Sequence, residues 1–220
     1  MIGVRSHPAA AASFERLTHA LGDARRIAFD LDGTLYDARD FERPALAAVA
    51  KWLRRKSGQP LNDLESDLWV RRETDRHRPG LFDDLLAKHG LPATWGTECL
   101  HRFHGHPAQE LTRADSLKEY LLGLRTAGRR LALVSNGPVA LQNRKMDALG
   151  LDGVFDKCIY CGPDFPERQK PSPWAWSQLA EWRGALRTIY VGDDPVDERF
   201  AASGNAGFVP FRFRSPTYAD

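Results

Sequence analysis

Residues 27–37 read IAFDLDGTLYD and place Asp30, Asp32 and Asp37 around a run that is otherwise apolar and turn-forming. An unpaired ionised carboxylate in a core costs far more than one residue's share of stability, so acids at the tip of a buried strand require a cation, a donor set or a reaction. Other reactive groups end comparable runs. Ser135 closes RLALVS ahead of Asn136 and Gly137, Asp193 and Asp194 close TIYVGDD, and Lys170 lies in the loop PERQKPSPW. The two acidic groups offer the hard oxygen ligands that Mg²⁺ prefers. The hydroxyl, the lysine and the amides of the DGT turn suit phosphate oxygens. One carboxylate then remains to attack phosphorus, forming an acyl phosphate that splits one difficult displacement into two easier ones.

Such residues need a scaffold that brings several strand ends together. Short apolar runs rich in β-branched residues, RIAFDL, RLALVS, KCIY, TIYVGD and AGFVPFRF, are each followed by turn residues and helical spacing. That alternation predicts an α/β fold with a parallel sheet, whose ligands bind at the carboxyl ends of the strands. The segment RLALVSNGPVALQNRKMDALGLDG reads as strand, turn and helix, with Pro138 at the helix start and Gly150 as its stop. Ser116 and Glu119 in DSLKEY have capping-box spacing, and ASFERLTHALGDA predicts a leading helix. Residues 36–115 are far too long for a simple crossover, and PALAAVAKWLRRKSG, LNDLESDLWVRRET and GLFDDLLAKHGLP have helical periodicity. The expected division is therefore a core of residues 13–35 and 116–220 with an inserted helical subdomain, 36–115.

A chain of 220 residues can bury a substantial core, and its net charge of +2, with basic residues scattered, gives no bulk argument for nucleic acid or membrane. No apolar run is long enough to span a bilayer and the opening lacks a signal-peptide core, so a cytoplasmic location is expected. The three cysteines, Cys99, Cys158 and Cys161, are too few for a disulfide scaffold. Cys158 and Cys161 have C-x-x-C spacing without the second ligand pair that structural zinc requires, and read as small residues on a strand and its loop.

The chain resembles the haloacid dehalogenase-like hydrolase superfamily in four motifs taken in order: DLDGT at Asp30 to Thr34, SNG at Ser135, KP at Lys170, and GDDPVD from Gly192 to Asp197. The resemblance implies a Rossmann-like parallel sheet core with an inserted helical cap, acting as a Mg²⁺-dependent phosphatase on a small phosphorylated metabolite. It implies Asp30 as the nucleophile and Asp32 as the acid that protonates the leaving oxygen and then the base that activates water. Thr34, Ser135, Asn136 and Lys170 are the implied phosphate-binding residues. Mg²⁺ would be held by Asp30, the main-chain carbonyl of Asp32 and Asp193, with Asp194 or Asp197, and after them Glu198, as the outer acid. A sugar phosphomutase using the same intermediate and a catalytically silent phosphate-binding protein are the rival readings. A carbon-halogen hydrolase is disfavoured because those relatives lack the acid that Asp32 supplies.

Within the insertion, Arg71, Arg72, Arg76, His77, Arg78, His101, His104 and His106 read chiefly as a solvated basic surface, and alternatively as recognition of an anionic substrate. Trp52, Trp69, Trp95, Trp174, Trp176 and Trp182 read as packing residues. Asp37 reads as a cap for the first insertion helix, with substrate contact as the alternative.

Overall fold

The computed structural model describes residues 8–74, 80–108, 111–114, 116–182 and 187–218, so Arg76, His77 and Arg78 lie outside the described residues. The chain divides into two compact units, Met1–Ala38 with Gln109–Asp220, and Arg39–Ala108. The first unit is built on strands β1 (Arg26–Phe29), β2 (Arg130–Asn136), β3 (Lys157–Cys161), β4 (Thr188–Gly192) and β5 (Gly207–Pro210). They form one parallel sheet in the order β3-β2-β1-β4-β5.

The register explains why the strand sequences are apolar throughout. Ala28 lies level with Ala132 and Tyr190, and Phe29 with Leu133 and Val191. Side chains alternate between faces, so successive rows fill opposite sides of the sheet. One side packs Ala28, Ala132, Val134, Ile159 and Tyr190 against Trp176, Trp182 and Phe200. Ile27, Phe29, Leu131, Leu133 and Val191 are buried as well, and Phe29 meets Phe155 edge to face at 6.2 Å. A parallel sheet covered on both faces selects continuous Val, Ile and Leu runs over alternating ones. Cys158 and Cys161 both fall on β3; three positions apart, they point to opposite faces.

In chain order the helices are α1 (Pro8–Leu21), α2 (Arg39–Ser57), α3 (Leu64–Thr74), α4 (Leu81–Lys88), α5 (Gly96–Gly105), α6 (Leu117–Thr126), α7 (Val139–Leu149), α8 (Trp174–Gln178) and α9 (Pro195–Ser203). Helices α2 to α5 make the second unit. Its core sets Leu46, Val49, Ala50 and Leu53, a helical stripe on α2, against Leu64, Leu68, Leu85, Leu86 and Cys99. Trp52, Trp69 and Trp95 pack beside that core, and Arg43 lies over the Trp69 ring at 4.2 Å. The basic residues of this unit are largely engaged: Arg72 pairs with Glu42 at 2.7 Å, Arg71 pairs with Asp84, and the His106 ring packs against Phe41. His101 is exposed. No helix among the described residues is long and apolar enough to cross a membrane.

Helix ends follow the sequence at α7, where Gly150 adopts the left-handed conformation with φ 63° just past the last turn. The capping box expected at Ser116 is corrected. The Leu117 N–H already bonds the Ala114 carbonyl at 2.9 Å, so Ser116 enters with φ −80° and ψ 0°, outside the extended geometry that aims a hydroxyl at the helix, and it makes no side-chain cap. Trp176 organises one face of the sheet. Its indole N–H donates to the Phe200 carbonyl at 2.8 Å, and its ring stacks on Phe200 with centroids 4.9 Å apart and meets Tyr190 edge-on. Trp176→Ala is expected to cost about 3–5 kcal/mol of unfolding free energy, read as a lowered urea midpoint with an unchanged slope.

Candidate active site

Because every strand is parallel, the carboxyl ends share one edge of the sheet. The strand order reverses at β1, with β2 and β3 on one side and β4 and β5 on the other, which makes that edge the crevice where open α/β sheets bind ligands. Asp30 follows β1, and its N–H extends the ladder to the Val191 carbonyl at 2.9 Å. Ser135 and Asn136 end β2, and Asp193 follows β4.

The DGT turn is shaped by its neighbours. Gly33 has φ 89°, and a Cβ there would come within 2.4 Å of the Asp193 carboxylate. Only glycine meets both demands. The Thr34 and Leu35 N–H groups bond the Leu31 carbonyl, closing the turn. The Thr34 hydroxyl is fully buried and has no hydrogen-bond partner among the described residues, an orphan that a bound phosphoryl oxygen would satisfy.

Lys170 carries its ammonium into the middle of this edge. It donates to Asp30 at 2.6 Å, to Asp197 at 2.7 Å and to the Tyr190 hydroxyl at 2.9 Å, which uses all three of its hydrogens. Tyr190 in turn donates to the Val134 carbonyl at 2.8 Å. Burial opposes the lysine charge, but Asp30, Tyr190 and Asp197 outweigh it and hold the ammonium well above its ordinary pKa. For Asp30 the balance is reversed. Burial, helped by the charges of Asp197 and Asp32, pushes its carboxyl up to about 8 against the pull of Lys170. Asn136, expected from sequence among the phosphate ligands, uses its side-chain amide to hold the lysine loop: Oδ1 accepts the Lys170 N–H at 2.8 Å and Nδ2 donates to the Lys170 carbonyl at 3.2 Å.

Asp30, Asp193 and Asp197 form an acidic cluster in which one oxygen of each lies within 4.8 Å of the others. Mg²⁺ takes hard oxygen ligands, so this donor set fits the ion in chemistry. Of the sequence alternatives for the outer acid, Asp197 is the one inside the cluster. The Asp194 carboxylate caps α9 by accepting the Val196 N–H at 2.8 Å, and Glu198 is exposed. Arg212 adds a clamp, reaching Asp193 Oδ2 at 3.1 Å and the Asp193 carbonyl at 3.0 Å. The Asp37 carboxylate accepts the Ser215 N–H at 3.0 Å and the Phe213 N–H meets the Gly33 carbonyl at 3.0 Å, so the segment after β5 is laced to the DGT loop.

Asp32 turns its carboxylate toward α7. Lys145 donates to Oδ1 at 2.6 Å, Gln142 donates to Oδ2 at 2.9 Å, and the Tyr36 hydroxyl also bonds Oδ1. Burial favours the neutral acid, but the Lys145 charge and these donors overcome it and hold the carboxyl well below the usual range. Gln142 also contacts Ser135 Oγ at 2.8 Å. Sequence reading missed Gln142, Lys145, Tyr36, Tyr190 and Arg212. One signal was available: Gln142 and Lys145 stand at helical spacing with Leu149, which places two polar residues on the stripe that α7 buries.

The haloacid dehalogenase-like hydrolase family model matches residues 24–205. The chain belongs to the haloacid dehalogenase-like hydrolases. Phosphoglycolate phosphatase from Cereibacter sphaeroides is 30% identical over 192 residues, covering 84% of each chain. That of Vibrio vulnificus strain YJ016 is 30% identical over 204 residues, covering 86% of this chain and 83% of its own. Among solved structures, a predicted phosphoglycolate phosphatase from Haemophilus somnus 129pt aligns with a TM-score of 0.65 and 22% identity over 86% of this chain and 87% of that one, a likeness of fold. This hydrolase thus shares the parallel-sheet architecture of its family.

Two measurements check the electrostatics. The folded state holds the Asp30 proton to about pH 8 and the unfolded chain only to about pH 4. A raised folded pKa gives a stability contribution that is complete below pH 4 and lost as the pH climbs toward 8. In EDTA, the melting temperature should therefore decline across that window, and Asp30→Asn should flatten the decline. Mg²⁺ should raise the melting temperature of the wild type, and Gly33→Ala, by displacing the Asp193 carboxylate, should abolish that rise.

Proposed function

We propose that this hydrolase is a Mg²⁺-dependent phosphatase that cleaves a small phosphorylated metabolite through an aspartyl phosphate on Asp30. The observation that carries the reading is the Asp30 carboxylate, buried between the Lys170 ammonium and the Asp193 and Asp197 oxygens, with the unpartnered Thr34 hydroxyl in the same loop. The phosphatase names of its relatives support the reading.

In this scheme the bond from an Asp30 oxygen to phosphorus forms as the ester oxygen leaves, and that oxygen takes a proton from Asp32. Water then attacks phosphorus, the bond to Asp30 breaks, and the water's proton goes to Asp32. Without substrate Asp32 is held ionised by Lys145, Gln142 and Tyr36; the substrate's negative charge raises its proton affinity, so Asp32 takes up a proton as the substrate binds and has it to give to the leaving oxygen. Thr34 and Ser135 donate to phosphoryl oxygens, and Lys170 balances the charge of the nucleophile. Asp30, Asp193, Asp197 and the Asp32 carbonyl would hold Mg²⁺, which when bound offsets the repulsion between carboxylate and phosphate dianion. The helical unit is assigned to substrate selection.

Phosphate release from a panel of phosphomonoesters headed by 2-phosphoglycolate provides the test. Turnover should require Mg²⁺, cease in EDTA, be abolished by Asp30→Asn, and fall about 10²–10⁴-fold in Asp32→Asn. Activity that survives Asp30→Asn would sink the assigned nucleophile.

A further inference from the structure

Gln142 is wholly buried in the first turns of α7, and its side-chain nitrogen lies 2.8 Å from Ser135 Oγ, 2.9 Å from Asp32 Oδ2 and 3.0 Å from the Asn136 carbonyl. The Asp32 carboxylate and the Asn136 carbonyl only accept, so the edge of the amide that faces them is its NH₂, whose two hydrogens are shared among the three oxygens. An amide nitrogen has no lone pair to offer. Toward Gln142, Ser135 Oγ can therefore only accept, and its own hydrogen must point elsewhere. The opposite edge of the side chain gains nothing, because Gln142 Oε1 is buried without a partner among the described residues, a destabilising feature in a residue kept for stability. Room for the amide comes from Gly137, which has φ 148° and where a Cβ would come within 2.9 Å of Gln142 Nε2.

We propose that Gln142 is a positioning residue that fixes donor and acceptor polarity at Ser135 and Asp32 together. By filling the acceptor side of the Ser135 hydroxyl it turns that group into a donor toward the ligand, and with Lys145 and Tyr36 it aims the Asp32 carboxylate. The pocket edge it sets favours a ligand group that only accepts, as a phosphoryl dianion does, over one that must donate. The assignment rests on the phosphatase reading above.

The test uses Gln142→Met, which keeps the volume and removes the donors, and Gln142→Glu, which presents an acceptor to Ser135. In Mg²⁺, with orthovanadate as the probe, Gln142→Met should raise the inhibition constant and lower kcat, each about tenfold or more, while the Mg²⁺-dependent rise in melting temperature is kept. Gln142→Glu should be worse in both respects. In a Ser135→Ala background, Gln142→Met should weaken orthovanadate by less than about threefold, because Ser135, the partner through which it meets the phosphoryl oxygens, is gone and only its contact with Asp32 remains. An inhibition constant and kcat within about twofold of wild type in Gln142→Met, or a full additive loss in the Ser135→Ala background, overturns the proposal. If Gln142→Glu does not fold, Gln142→Met alone decides. A wild-type protein that neither releases phosphate nor responds to orthovanadate overturns the phosphatase reading itself, whereas normal wild-type turnover with indifferent Gln142 variants overturns only this inference.

Discussion

One buried ammonium ties the carboxyl edge of the sheet together. Lys170 reaches from the loop after β3 to Asp30 after β1, to Asp197 on α9 and to Tyr190 within β4. A lone charge in such a place would be costly, and so would each of its acidic partners. Each is tolerated because the others are there, so the ends of three strands must converge before any of them is stable. The lysine backbone is fixed in turn by Asn136 at the end of β2.

The arrangement is balanced toward negative charge. Two carboxylates face one lysine, and a third acid, Asp193, is answered by Arg212 at the rim. Asp32, two residues from Asp30, has its own cation in Lys145 and its own donors. Neighbouring acids in one loop thus have opposite electrostatic settings, with one pushed toward its neutral form and the other held ionised. The proposed roles need the opposite settings, an ionised Asp30 and a protonated Asp32, which a bound cation beside Asp30 and a substrate dianion beside Asp32 would bring about.

The strands, the three reactive strand ends and the Lys170 loop were legible because burial on both faces writes itself into sequence as continuous apolar runs, and because turn glycines and acids punctuate them. Asp30, Asp32, Ser135, Lys170 and Asp193 could be found on that basis. The partners were harder, for a physical reason. Lys145 and Gln142 are ordinary polar residues in a helical pattern, and only the crossover from β2 through α7 brings them back against the loop after β1. Tyr190 reads as a β-forming aromatic, and its hydroxyl acquires meaning only when the register sets it across β1 from Ala132 and within reach of Lys170. Asp194 and Asp197 were inseparable by spacing, because choosing between them depends on which one the first turn of α9 takes as its cap. The Ser116 cap failed for the converse reason: local spacing was right, but the preceding turn fixed a backbone that could not use it.

The central place of β1 in the sheet has a bearing on synthesis. This strand leaves the ribosome before both of its neighbours, since β2 follows the helical unit in sequence and β4 comes later still. Arg39–Ala108 has a hydrophobic core of its own and can compact while both edges of β1 still lack their neighbours. Until Thr188–Gly192 has emerged, the nascent chain carries an apolar strand with an open edge directly before the acidic loop of Asp30 and Asp32. The strand that leads into the proposed nucleophile thus stays open to mispairing until β4 arrives, which gives a chaperone reason to hold it.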